Sequence, residues 1–134
     1  MPFVWRNLIQ LSRHLAEMNA DDMIADDETY YRAAVGRAYY GCHKSVHEWL
    51  GNAGYSWNRG TRGSVHKDVL AQITTYMEQP EAGRIKRALQ DLRLQREEAD
   101  YDLTYTTPWN GVRALAKIEM AEYVIEQLDR ARVV

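Results

Sequence analysis

The chain of 134 residues has one cysteine, a formal net charge of only −2 and no long hydrophobic run. Cys42 alone cannot form an internal disulfide, which is typical of proteins in a reducing compartment. The small net charge gives no overall attraction to nucleic acid or to an anionic membrane, so any such binding needs a local patch. No apolar run approaches the roughly 18 residues of a membrane span, and the charged N-terminal stretch is unlike a signal peptide. We therefore expect a cytoplasmic protein without membrane association.

The sequence also lacks internal repeats, low-complexity tracts and the alternating pattern of β-strands. Apolar residues recur instead at helical spacing in five segments. The length suits one domain, so the sequence predicts a single all-α domain over residues 1–134, an antiparallel bundle of five helices. Asp26 or Asp27 is expected to cap the second helix, and the fifth is expected to begin at Thr107-Pro108. The expected inward stripe of the first helix is Val4, Leu8, Leu11, Leu15 and Met18.

One charge interrupts an otherwise apolar stripe in the fourth helix. Arg96 shares the helix face of Ile85, Leu89, Leu92, Ala99 and Leu103. A guanidinium cannot lose its proton, so on a packing face it needs a partner. Asp100 lies four residues later, at the spacing of an ion pair within a helix. The pair indicates either a structural ion pair or a functional site.

The second helix is crowded with aromatic and imidazole rings. We expect Tyr39 and Tyr40, with Arg37 beside them, at an interface between two copies, because one small core needs fewer aromatic residues. His43 and His47 have the spacing of a metal pair, but without a third ligand we predict neither a metal nor another cofactor.

Other residues in and after this helix are expected to have ordinary structural roles. Cys42, on the inward stripe, is expected to be a buried thiol, and His66 is expected at the surface. Gly36 and Gly41 lie inside the helix, where close helix–helix approach is the expected reason for their presence.

The segment between the second and third helices has no acidic residue from position 49 to position 67. It carries Arg59, Arg62 and Lys67, with Trp57 among them. Basic side chains hold phosphates and aromatic rings stack on bases, so these four residues are candidates for contact with single-stranded nucleic acid. An ordinary solvated loop remains the alternative.

Two blocks of the sequence form recognisable motifs. Residues 31–43 read YRAAVGRAYYGCH, and residues 92–102 read LRLQREEADYD. The first resembles the R-A-Y-Y-A-x-x-H signature, and the second resembles the R-x-x-A-D-Y segment, of small HEPN proteins (higher eukaryotes and prokaryotes nucleotide-binding). The order and separation of the two blocks also fit this family.

The resemblance implies a five-helix bundle that is usually a homodimer. Many HEPN proteins are metal-independent ribonucleases that pair the Arg and His of an R-x(4–6)-H motif across the dimer interface. Others are toxins controlled by a partner nucleotidyltransferase, and others are non-catalytic binding modules. For this chain the resemblance therefore implies RNA or a nucleotide as ligand, and a nucleotidyltransferase-type partner protein.

The chain departs from the ribonuclease motif after Arg96, where Asp100 and Tyr101 follow and no histidine does. RNA cleavage needs a general base and a general acid, and a carboxyl paired with arginine is a poor acid at neutral pH. His43 or His47 would have to supply the missing imidazole from another helix or protomer, which completes the candidate catalytic set. The sequence thus favours a catalytically degenerate binding module of a toxin–antitoxin or defence system. An RNA-cleaving toxin and a purely structural dimer remain alternatives.

Overall fold

The computed structural model describes residues 4–23, 25–56, 65–101 and 109–134, and this part of the chain forms five α-helices. They are α1 (Asn7–Ala16), α2 (Asp27–Asn52), α3 (Val65–Tyr76), α4 (Glu81–Tyr101) and α5 (Gly111–Arg130). A 3-10 turn at Ala20–Asp22 follows α1, and one isolated bridge joins Met77 to Val133. No β-strand occurs in the described ranges, so the prediction of an all-α bundle is confirmed.

Side-chain contacts at two levels fix the relative directions of the helices. Arg32 of α2 contacts Ala99 of α4, and Tyr40 of α2 contacts Arg96 of α4. The residue numbers therefore increase along α2 in the direction in which they decrease along α4. In the same way, Asp91 of α4 meets Lys117 of α5, whereas Gln95 meets Arg113. The α2–α4 and α4–α5 pairs are therefore antiparallel, as expected.

The long helix α2 is the centre of the bundle and packs against each of the other four helices. Asp26 accepts a hydrogen bond from the Thr29 amide at 2.8 Å, which confirms the predicted cap. Val35, Ala38, Cys42 and Val46 of α2 are buried, so the thiol of Cys42 lies in the core as expected. Burial raises the pKa of this thiol, so Cys42 is an inert part of the core.

The predicted inward face of α1 is wrong at two positions. Val4 and Leu11 are 53% and 42% exposed, whereas Leu15 packs against the core as expected. The fully buried residues of α1 are Ile9, Ser12 and Ala16, one residue further along than Leu8, Leu11 and Leu15. Ser12 can be buried because its hydroxyl donates to the Ile9 carbonyl at 2.6 Å.

The start of α5 and the last residue of the predicted α4 stripe are compared with the sequence prediction. α5 begins at Gly111 with Asn110 as its cap, later than predicted; Asn110 accepts from the Arg113 amide at 2.8 Å. The predicted start at Thr107-Pro108 and the predicted stripe residue Leu103 lie outside the described residues.

Gly41 is the point of closest approach between α1 and α2. A Cβ atom at Gly41 would lie 2.9 Å from the Trp5 carbonyl oxygen and 3.1 Å from the Leu8 Cβ. A Cβ at Gly36 would meet only the Asp100 Oδ1, at 3.4 Å. Close approach between helices therefore accounts well for the glycine at position 41 and only weakly for the glycine at position 36.

The two glycines form a matched pair for a stability test. We expect Gly41→Ala to lower the free energy of unfolding by about 1–3 kcal/mol, because a backbone oxygen cannot move away cheaply. We expect Gly36→Ala to be neutral or stabilising by up to about 1 kcal/mol, since alanine is the better helix former. Urea unfolding followed by circular dichroism measures both, and equal effects would contradict the close approach at Gly41.

Candidate functional site

Arg96 lies on the packing face of α4, as its position in the stripe predicts. Ile85, Leu89, Leu92 and Ala99 of this stripe are buried, and the Arg96 side chain is 13% exposed. Its Nε lies 2.9 Å from Oδ2 of Asp100, whose side chain is 32% exposed. The predicted ion pair is therefore present, at the edge of the core.

Two tyrosines of α2 hold the guanidinium from the other side. Nη2 of Arg96 donates to the Tyr40 hydroxyl at 2.9 Å, and Cζ lies 5.0 Å from the centre of the Tyr40 ring. The centre of the Tyr39 ring is 5.9 Å from the same Cζ. Both distances suit a cation–π contact, so the charge of Arg96 is fixed between α2 and α4.

His66 from α3 joins this cluster, contrary to the expectation of a surface histidine. Its Nδ1 shares a hydrogen bond with the Tyr39 hydroxyl, and its ring centre lies 4.5 Å from that of His43. Burial and the nearby charges of Arg93 and Arg96 lower the pKa of His66. At neutral pH this half-buried imidazole is uncharged.

His43 and His47 form a row that leads away from Arg96. The His43 ring stacks on Tyr39 at 5.7 Å, and the His47 ring follows 6.5 Å beyond His43. Burial is the main cause that lowers the pKa of His43 to about 3, so its ring stays neutral and sealed in the core. The pKa of His47 is also lowered, by burial and by Lys44. His66 is the partially exposed imidazole next to Tyr39. Neither of the two predicted candidates, His43 and His47, combines these two properties.

Cations dominate the surroundings of these rings. Lys44 of α2 contributes to the lowered pKa values of all three histidines, and Arg93 contributes to those of His43 and His66. Arg93 pairs with Glu97 at 3.5 Å, one turn before the Arg96–Asp100 pair. We call the surface formed by Lys44, His66, Arg93 and Arg96 the α2–α4 face.

Arg32 is a positioning residue that the sequence analysis missed. Its Nη1 donates to the main-chain carbonyl of Ala99 at 2.6 Å, and its Nη2 lies 3.2 Å from the Glu28 carboxylate. The last carbonyls of a helix lack partners within the helix, so Arg32 ties the start of α2 to the end of α4, where Asp100 lies. Spacing along one chain segment cannot reveal a contact between residues 67 apart.

The remaining predicted site residues are spread over the surface and the core. Arg37 is exposed, with Nη1 donating to the Ala33 carbonyl, and Tyr40 is 38% exposed. Tyr39 is 1% exposed, so its ring belongs to the core of its own chain and is not available to a second copy. Lys67 is exposed at the start of α3. Trp57, Arg59, Arg62 and the side chain of Tyr101 lie outside the described residues.

Two properties of the described residues bear on cofactors and membranes. No group of three or more His, Cys, Asp and Glu side chains within them is placed to hold a metal ion. None of the described helices combines the length and apolarity that crossing a bilayer requires.

The buried His43 makes stability depend on pH. The folded-state pKa of about 3 lies below the unfolded value of about 6.5, so between these values the unfolded chain binds more protons. We expect the free energy of unfolding to fall on acidification within this window, with His43 contributing up to about 1.4 kcal/mol per pH unit. His43→Leu should flatten the dependence measured by urea unfolding at several pH values. Equal slopes for parent and His43→Leu would contradict the burial of a neutral ring.

Comparison with known proteins identifies no relative of this chain. No protein-family model, no curated protein and no solved structure matches it.

Proposed function

We propose that this chain is a HEPN-like, homodimeric helical module that binds single-stranded RNA through phosphate contacts on the α2–α4 face. The observation that carries the proposal is the Arg96 guanidinium, which is held by Tyr39 and Tyr40 while the Tyr39 hydroxyl shares a hydrogen bond with His66. The charges of Arg93, Arg96 and Lys44 also lower the pKa of His66. A local patch of this kind is what a chain with a net charge of −2 needs in order to attract a polyanion. The all-helical bundle and the antiparallel α2–α4 pair agree with the HEPN resemblance of the two sequence blocks.

The hydrogen bond between Tyr39 and His66 favours binding over cleavage. A buried hydroxyl needs an acceptor for its proton, and Nδ1 of His66 is in place to accept it. The neutral ring then carries its own proton on Nε2, which donates to a phosphate oxygen. In this tautomer His66 cannot remove a proton from a ribose 2′-hydroxyl, so the general base is missing.

A metal-independent ribonuclease is the second candidate, and one observation favours it. His66 is an imidazole with a lowered pKa beside the charge of Arg96. In the opposite tautomer, Nδ1–H donates to the Tyr39 oxygen and Nε2 accepts the 2′-hydroxyl proton. The 2′-oxygen then attacks the phosphorus, the bond to the 5′-oxygen breaks and that oxygen takes a proton from solvent, while Arg96 stabilises the charge that develops on the phosphate. The imidazole missing from the family motif would then come from α3.

RNA binding can be tested with charge-neutralising variants of the α2–α4 face. We expect Lys44→Gln and Arg93→Gln each to weaken binding of a fluorescein-labelled single-stranded RNA, because each removes a phosphate contact. The slope of log affinity against log salt concentration should become shallower by about 0.7 for each variant. Fluorescence anisotropy at several salt concentrations measures both quantities.

Arg130→Gln is the matched control, because Arg130 also pairs with a carboxylate within its own helix but lies at the end of α5. Parent-like binding by all three variants would contradict the proposal. The same RNA, incubated with the protein in EDTA and analysed by gel electrophoresis, distinguishes RNA binding from RNA cleavage. Cleavage that persists in EDTA and disappears in His66→Gln would establish the ribonuclease instead.

The proposed homodimer would use a groove beside the Arg96–Asp100 pair. This groove, of about 360 Å³, is formed by α2, the start of α1 and the end of α4, and Trp5, Leu8, Arg37, Tyr40 and Asp100 line it. Aromatic residues and arginine are enriched in protein interfaces, and Tyr40 connects the groove directly to Arg96. A second copy seated here would bring two α2–α4 faces together. The nucleotidyltransferase-type partner is proposed on the family resemblance alone.

We expect light scattering after size-exclusion chromatography to give a dimer at tens of micromolar protein. Arg37→Glu should shift this equilibrium towards the monomer, because it replaces a cation of the groove with an anion that repels the carboxylate of Asp100 in the same contact. Arg130→Glu, at an exposed position of α5, should remain dimeric. A parent protein that is monomeric at this concentration would refute the dimer.

A further inference from the structure

A cavity of about 340 Å³ lies between the N-terminal end of α1, the C-terminal half of α2 and the end of α5. This volume is at the lower end of the range for small-molecule sites, which suits a ligand with one or two rings. Its described lining includes two indole rings, those of Trp5 and Trp49, together with Glu48 and Asn52. Trp5 also lines the groove beside the Arg96–Asp100 pair, whereas Trp49 does not.

The lining combines flat apolar walls with polar groups. Trp5 and Trp49 are half-buried, Glu48 and Asn52 are exposed, and all four residues line the cavity. A carboxylate accepts hydrogen bonds and an amide both donates and accepts them. Planar heterocycles with polar edges, such as nucleobases, stack on indole rings and form hydrogen bonds with such groups.

Lys44 connects this cavity to the α2–α4 face. Its Nζ lies 5.8 Å from the centre of the Trp5 ring, and its charge also acts on His43, His47 and His66. A phosphate held by Lys44 is therefore adjacent both to the imidazole row and to the indole that lines the cavity. In a nucleotide, base and phosphate are joined through a single ribose, so the two can occupy neighbouring sites.

From this arrangement we infer that the Trp5–Trp49 cavity binds one nucleobase of a single-stranded RNA whose neighbouring phosphate contacts Lys44. The inference rests on the proposed RNA-binding function and deepens it by adding a base-stacking subsite. The positive charge of Lys44 against Trp5 disfavours the main alternative ligand of an aromatic cavity, a quaternary ammonium cation.

The test compares two ligands, a fluorescein-labelled hexamer of adenosine nucleotides and an abasic hexamer with the same number of phosphates. Stacking of one base contributes roughly 1–3 kcal/mol, so the parent should bind the adenosine hexamer roughly 5- to 150-fold more tightly than the abasic one. Trp49→Leu should reduce this ratio by roughly fivefold or more, mainly through weaker binding of the adenosine hexamer. Trp49→Phe keeps an aromatic ring and should retain most of the ratio.

Trp5→Leu replaces the second indole of the cavity lining and should reduce the ratio as Trp49→Leu does, so the result does not depend on one variant folding normally. Circular dichroism of each variant checks the fold. Parent-like ratios in both leucine variants would overturn the base subsite and leave RNA binding intact. Failure of the parent to bind either hexamer would overturn the RNA-binding function together with this inference.

Discussion

The permanent charge of Arg96 on the packing face of α4 is the constraint around which the rest of the site is arranged. A guanidinium that cannot be neutralised must be compensated where it lies, and here three kinds of contact do so. Asp100 supplies a counter-charge from the same helix, Tyr40 supplies a hydrogen bond, and Tyr39 offers the face of its ring. Because both tyrosines belong to α2, this compensation also sets how α2 and α4 pack.

The chemistry of the site follows from the order of its rings. Tyr39 separates Arg96 from His43, and burial keeps His43 neutral at any pH near neutrality. His66 alone combines a lowered pKa with partial exposure and a hydrogen bond to the same tyrosine. Which nitrogen of His66 carries the proton therefore distinguishes a module that holds phosphate from an enzyme that cleaves RNA.

Sequence periodicity and capping residues predict much of the fold. The buried residues of the α4 stripe are recovered, as are the Asp26 cap and the Arg96–Asp100 pair, because each of these depends on residues within one helix. The inward face of α1 is recovered only in part, since the polar residue Ser12 is buried with its hydroxyl bonded to the Ile9 carbonyl, and hydrophobic periodicity does not select serine. His66 and Arg32 also escape detection, because their partners lie 27 and 67 residues away in the chain. The predicted contacts of Trp57, Arg59 and Arg62 stay predictions.

The contact between Arg32 and the end of α4 has a consequence for which substitutions related sequences can carry. Arg32 donates to main-chain carbonyls, which every residue type provides, so the tether places no demand on the side chains at positions 98 and 99. Pairs of positions that change together reveal contacts only when both side chains take part. The main-chain part of this link between α2 and α4 would therefore be recorded by the persistence of arginine at position 32, and not by covariation with the side chains at positions 98 and 99.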